Sequence, residues 1–200
     1  MSVDEDVLRV RVKAELRKRL RGVRKTMPPE AGAERSAKIV ANLEAHDAVR
    51  AARSVALFWP IEARKEVDLR ALDASLRSRG VRVAYPAIDP DTNAMTFRLV
   101  DDPRALEEAG FGFAEPAPSL PEAETLDVIV VPAIALDPTG QRIGYGAGYY
   151  DRTLPRFSPP AITIGVVYDW QLVAEVPVTP HDVRLAWVVT DVRTFDARSP

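Results

Sequence analysis

Val128-Ile-Val-Val-Pro-Ala-Ile-Ala-Leu136 runs directly into Asp137-Pro-Thr-Gly-Gln-Arg-Ile-Gly-Tyr-Gly-Ala-Gly-Tyr-Tyr-Asp151. The first segment is an unbroken apolar run and reads as a buried strand. In the second, Gly140, Gly144, Gly146 and Gly148 crowd together. Glycine at that density admits positive φ and lets backbone approach a ligand closely. Successive backbone N–H groups in such a loop can converge on an anion. Arg142 adds a permanent planar charge that suits phosphate. Tyr149 and Tyr150 add flat faces, and Asp151 a hard oxygen. A buried strand feeding such a loop fits the crevice at the carboxyl edge of an open α/β sheet. The pattern is neither the dinucleotide fingerprint nor the phosphate loop, since no Lys follows the glycines. These residues alone leave two readings open, a nucleotide-type anion site or a tight connection.

Outward from this stretch the chain alternates strands and helices. From about Asp4 to Lys25 the period is helical. Leu8, Val12, Leu16, Leu20 and Val23 form one apolar stripe, predicted to pack on the core. Lys13, Arg17, Arg21 and Arg24 form a basic stripe beside it, readable as a solvated face or as cations laid along phosphates. Pro28-Pro29 breaks the chain, and Glu30 to Ala45 resumes helix. Ser54 to Phe58 reads as a strand, and Trp59 to Glu66 as the loop at its carboxyl end. Asp68 is placed to cap a helix that Gly80 ends. Val81 to Tyr85 is the next strand, closed by Pro86. A turn at Asp89 to Asn93, a strand at Ala94 to Val100 and a short helix at Pro103 to Ala109 follow. Phe111 to Glu124 is Pro-rich connecting chain. Tyr149 to Leu154 starts a helix beside the glycine loop. Ala161 to Val167 and Ala186 to Thr190 are the remaining strands, the latter expected to be the last. The order implies an α/β, three-layer Rossmann-like architecture, with a mixed, largely parallel central sheet and helices on both faces.

A chain of 200 residues suits one domain, and residues 1–200 are read as one. That length buries roughly 70% of the unfolded chain's surface, so no staple is needed. Cysteine is absent, which removes disulfides and thiolate chemistry. A formal net charge of −2 gives no general attraction to polyanions. No apolar run is long enough to cross a bilayer, and the N-terminus lacks a signal-peptide core. A soluble, cytoplasmic protein is the expectation.

Pro132 to Asp151 resembles the signature of the 5-formyltetrahydrofolate cyclo-ligase family, which reads roughly Pro-x-x-Ala-Phe-Asp-x-x-Gly-x-Arg-Leu-Gly-x-Gly-x-Gly-Tyr-Tyr-Asp. Leu136 stands for the usual Phe and Ile143 for the usual Leu. Lys13-Ala-Glu-Leu-Arg17, Phe58-Trp-Pro-Ile61 with Glu66-Val-Asp68, Glu115-Pro116, and Ile164-Gly-Val-Val-Tyr168 with Gln171, Pro177 and His181-Asp182 are similar to further family segments. Two departures stand out. The loop from Trp59 to Glu66 is about two residues longer than usual, and Ala147 replaces a usual Gly.

The resemblance implies ATP- and Mg²⁺-dependent closure of 5-formyltetrahydrofolate to 5,10-methenyltetrahydrofolate, by phosphorylation of the formyl oxygen. It implies nucleotide contacts from Lys13, Arg17, Arg142, Gly144, Tyr145, Gly146, Ala147, Gly148, Tyr149 and Tyr150, with Arg142 stabilising the transferring group. Trp59, Glu66 and Tyr149 would hold the folate, with or without a polyglutamate tail. Asp151 and Asp182 would hold Mg²⁺, which favours few carboxylates plus phosphate and water. The two carboxylates are expected to repel each other, so that neutralising one leaves the empty protein's stability almost unchanged. Nucleic acid and membrane are not expected partners, and a monomer is. A paralogue with altered activity, or a nucleic-acid-binding module built on the basic helix, is the alternative.

Overall fold

The computed structural model describes residues 3–89, 91–108 and 113–199. Pro90 of the expected turn, Ala109 of the expected short helix and Phe111 at the head of the connecting chain lie outside them. In chain order the elements are α1 (Val3–Thr26), α2 (Pro29–Ala45), α3 (Asp47–Ala51), β1 (Ser54–Ala56), α4 (Arg70–Ser78), β2 (Arg82–Ile88) and β3 (Met95–Leu99). There follow β4 (Glu107–Glu108), β5 (Ala114–Glu115), β6 (Val128–Pro132), β7 (Ala135–Leu136), β8 (Arg142–Ile143), α5 (Tyr149–Thr153), β9 (Ile162–Val166), β10 (Trp187–Val189) and β11 (Thr194–Asp196).

Seven strands form one sheet in the order β11-β10-β9-β6-β1-β2-β3. The pairs from β10 through β9, β6 and β1 to β2 are parallel, and the edge strands β3 and β11 are antiparallel. The apolar run Val128 to Leu136, expected as one buried strand, is split: β6, the middle strand, ends at Pro132, and Ala135–Leu136 forms β7, which pairs with β8 outside the main sheet. The side chains of β6 alternate as the pleat requires. Val128 and Val130 join one core cluster, with Ile39 and Leu43 of α2 and Leu72 and Leu76 of α4. Ile129 and Val131 join the other, with Leu154, Phe157 and Leu185. The three-layer α/β reading holds, and the layers are unequal. Helices α2, α3 and α4 cover the first face. On the second, α5 and the 3-10 turn Leu154–Arg156 lie among loops.

Several boundaries differ from the sequence reading. Strand β2 runs through Pro86 and does not stop there. β1 pairs with β2 only as far as Ala84, so beyond it one edge of β2 needs no N–H donor and proline is tolerated. The expected short helix is a 3-10 turn at Pro103–Ala105 followed by the two extended residues of β4. The last strand is β11, made by Thr194–Asp196 folding back on β10. Asp68 reaches the start of α4 from one position before the N-cap, Leu69. Its Oδ1 accepts from Arg70 N–H at 2.9 Å, and its carboxylate pairs with the Arg70 guanidinium. Gly80 does end α4, with φ +75°.

The largest difference is in α1. Leu16 and Leu20 pack against Ile134, Ile143 and Val176. Leu8, Val12 and Val23 stay exposed, Leu8 at 61%. Positions four apart drift by about 40° per step around a helix, so five of them cannot share one narrow seam. Instead the basic stripe faces inward: Lys13 and Arg24 are buried. The basic face is a docking face, and the solvated reading of it does not stand.

Candidate active site

The site is built from the carboxyl ends of parallel strands. Chain leaving β1 contributes Phe58 and Trp59, the end of β2 contributes Pro86 and Ile88, and β6 ends at Pro132. These residues, α1 and the glycine loop enclose a cavity of about 1080 Å³. All fourteen residues singled out from the sequence line it: Lys13, Arg17, Trp59, Glu66, Arg142, Gly144, Tyr145, Gly146, Ala147, Gly148, Tyr149, Tyr150, Asp151 and Asp182.

Asp137 sets the shape of the loop. Its Oδ1 accepts from Thr139 N–H, Thr139 Oγ1 and Gln141 N–H, and its Oδ2 accepts from Val176 N–H at 2.8 Å. The β7–β8 ribbon then carries Arg142 inward. Gly140 lies at φ +85° with Leu185 backbone against the place a Cβ would take, so only glycine fits. Gly148, at φ +70°, has Arg152 in the same position and leads directly into α5.

The cations Lys13, Arg17 and Arg142 line the cavity. Arg142, 7% exposed, places its Nη2 2.7 Å from Asp151 Oδ1. Lys13, 5% exposed, pairs with Asp182 Oδ2. Arg17 Nε donates to the Gly144 carbonyl at 2.8 Å. Burial and the neighbouring Arg21 pull the Arg17 pKa below the usual arginine value, against the pull of Asp182. Burial pushes the Asp182 carboxyl up, but the Lys13 ammonium and the Thr179 N–H outweigh it and hold it below the usual carboxylate range. Thr179 N–H and Oγ1 donate to Asp182 Oδ2 at 2.6 and 3.0 Å. Val183 N–H donates to Asp151 Oδ1 at 3.2 Å, so the two aspartates meet at the Asp182–Val183 corner.

Aromatic rings line the same cavity. Trp59 meets the Tyr85 ring edge-on at 5.9 Å, so it both packs on the core and lines the cavity. The Tyr149 hydroxyl donates to Asn93 Oδ1 at 2.6 Å, while Arg152 lies over its ring. Glu66 is held from both ends. Its carbonyl accepts from the Tyr168 hydroxyl at 3.0 Å, and its Oε2 from Ile61 N–H at 2.9 Å. Glu66 Oε1 accepts from the Tyr145 hydroxyl, which also accepts from Arg24 Nη2 at 2.5 Å. Burial and the Glu66 carboxylate push the Tyr145 phenol up to about 12. The Tyr150 hydroxyl is buried without a hydrogen-bond partner among the described residues, and burial raises its pKa.

Sequence reasoning did not single out Arg64, Arg152 or Thr179. Arg64 lies over the Tyr145 ring at 4.7 Å, with Arg21 at 5.0 Å. It comes from the long loop, where Lys65 adopts φ +49° and donates from Nζ to the carbonyls of Lys25 and Met27 at the end of α1. The two-residue excess in that loop was the signal that could have found it.

The donor set bears on a metal. Among the described residues no group of three or more metal-ligating side chains occurs. Asp151 and Asp182 offer hard oxygens from adjoining segments, each with one oxygen already facing a cation. Two carboxylates beside a polyphosphate are a set that Mg²⁺ accepts, so these residues fit an ion that arrives with nucleotide.

Comparison with known proteins gives the family. The model of the 5-formyltetrahydrofolate cyclo-ligase family matches residues 9–191. A 5-formyltetrahydrofolate cyclo-ligase of Mycolicibacterium smegmatis is 40% identical over 147 residues, covering 70% of this chain and 75% of that protein. The one from Escherichia coli strain K12 is 29% identical over 182 residues, covering 88% and 99%. The NMR structure of Aquifex aeolicus 5,10-methenyltetrahydrofolate synthetase superposes with a TM-score of 0.82 at 29% identity, covering 94% of each chain. With a family match over nearly its whole length and the same fold, the chain is an enzyme of the 5-formyltetrahydrofolate cyclo-ligase family.

Proposed function

We propose that this enzyme closes 5-formyltetrahydrofolate to 5,10-methenyltetrahydrofolate with ATP and Mg²⁺, releasing ADP and phosphate. The observation that carries the reading is that one cavity is lined both by the cations Lys13, Arg17 and Arg142 and by the aromatic rings of Trp59, Tyr145 and Tyr149. A cavity of about 1080 Å³ is at the upper end of the usual small-molecule site, in keeping with two ligands side by side.

Lys13, Arg17 and Arg142 would take the phosphates, and the Gly144 to Gly148 backbone would pass beneath them. Trp59 and Tyr149 would flank the folate ring system. The formyl oxygen takes the γ-phosphoryl group as the bond to the ADP oxygen breaks. The folate's second nitrogen then attacks the activated carbon, and the oxygen leaves with phosphate. Phosphoryl transfer asks for positioning and charge neutralisation more than for covalent help. Arg142 is suited to this because it is nearly buried and lies 2.7 Å from its counter-ion Asp151, while its Nε and Nη2 have no hydrogen-bond partner among the described residues and are free to receive one. Mg²⁺, when bound at Asp151 and Asp182, would supply neutralising charge across the phosphates.

A spectroscopic assay for the methenyl product tests the proposal, with ATP, Mg²⁺ and 5-formyltetrahydrofolate each omitted in turn. Product is expected only when all three are present. Unchanged substrate in the complete mixture, while a known cyclo-ligase converts it, overturns the reading.

A further inference from the structure

Two ion pairs line the cavity. Lys13 faces Asp182, and Arg142 faces Asp151 at 2.7 Å. Both cations are nearly buried, and a buried charge without a partner is costly. In each acid the oxygen that faces the cation also accepts from the protein, Asp182 Oδ2 from Thr179 N–H and Oγ1 and Asp151 Oδ1 from Val183 N–H. The carboxylates are thus oriented toward the cations that would receive phosphate.

Resting on the nucleotide reading above, we infer that Asp182 and Asp151 serve as built-in counter-anions that select metal-bound over metal-free nucleotide. In the empty cavity they hold Lys13 and Arg142 in place. A metal-free polyphosphate must take those cations away from the carboxylates while being repelled by them. A polyphosphate that brings a divalent cation offers the carboxylates a replacement partner, so every charge stays compensated after the exchange. Part of the metal requirement then resides in competition within the protein, in addition to any bond to the metal.

This differs from a plain ligand role in a measurable way. If the aspartates only bind metal, removing one charge leaves the affinity for metal-free ATP unchanged. If they compete with phosphate, the affinity rises. Asp182→Asn is the sharper variant, because the Asn carbonyl can still accept from Thr179 N–H. Isothermal titration calorimetry of the full chain with ATP in EDTA, and then with excess Mg²⁺, reads both affinities. Asp182→Asn is expected to bind ATP in EDTA at least about fivefold tighter than the unaltered protein, the order expected for losing one nearby unit charge. In Mg²⁺ it should bind no tighter than the unaltered protein, so the gap between the two conditions narrows.

Glu34→Gln removes an exposed acid on α2 paired with Lys38 and controls for net charge; an equal gain there overturns the inference. Asp182→Ser carries the same test if the Asn variant does not fold. Variants that bind metal-free ATP no tighter than the unaltered protein overturn the inference while the nucleotide reading stands. Failure of the unaltered protein to bind ATP in either condition brings down both.

Discussion

Arg142 shows how a single buried residue reverses an argument made from charge alone. From the sequence, Asp151 and Asp182 are two like charges, and neutralising one should relieve repulsion. In the structure Asp151 is the counter-ion of a nearly buried guanidinium. Removing one partner of a buried pair leaves the other unpaired, at a cost of about 3–5 kcal/mol when burial is complete. Asp151 is partly exposed, so Asp151→Asn is expected to destabilise the empty protein by less, about 2–3 kcal/mol. Replacing both partners, as Arg142→Met with Asp151→Asn, should recover much of that loss. Urea unfolding of the two single variants and the double variant closes the cycle. An Asp151→Asn melt that matches the unaltered protein would show that the pair contributes nothing to the fold.

At the scale of elements, α3 depends on an imidazole. His46 Nδ1 accepts from Ala48 N–H at 3.2 Å and caps the helix, and the ring meets Trp187 edge-on at 4.5 Å. Nδ1 can accept only while it is unprotonated. Nε2 is buried without a hydrogen-bond partner among the described residues. Burial, with a smaller contribution from Arg198, outweighs the opposing pull of Asp47 and Asp196 and moves the His46 pKa below its ordinary value of 6.5. The native state therefore binds fewer protons than the unfolded chain. The stabilisation is complete above that ordinary value and declines as pH falls below it toward the lower folded pKa. Asn also caps helices and does not titrate. His46→Asn should match the unaltered protein at about pH 7.5 and lose less stability on going to about pH 5.5, where an ordinary imidazole is charged. Denaturant melts at the two pH values read this directly, and parallel losses would exclude His46 as the titrating group.

Taken whole, the molecule has a sheet-centred body and a differently attached first helix. β6 lies mid-sheet with both faces packed. Helix α1 contributes little apolar contact beyond Leu16 and Leu20, and is held by Lys13, Arg17, Arg21 and Arg24 and by Lys65 at its end. Regions with few buried apolar contacts open more readily than the core. Amide exchange followed by mass spectrometry should show α1 exchanging faster than β6. Raising salt to ~1 M, where the screening length is about 3 Å, should widen that difference. An α1 as protected as β6 and indifferent to salt would contradict the polar attachment.

What the sequence determined by itself lies in short-range pattern and in unusual local chemistry. The apolar residues of Val128 to Val131 can be satisfied only by burial on both faces, so they predict the middle strand, though not that the run breaks after Pro132. The glycines after it, with Asp137 and Arg142, announce a close-backbone loop wherever the chain places it. Gly80 marks the end of α4 because φ +75° is open to it at no cost. The tertiary structure decided which face of α1 turns inward, since both stripes were periodic. The choice rested on the carbonyls and carboxylates of loops about 120 to 170 residues away. It also decided that Asp151 and Asp182 face cations, and that Thr194 to Asp196 adds an edge strand. These outcomes depend on long-range partners, and local periodicity carries no information about which distant charge or strand edge will be within reach.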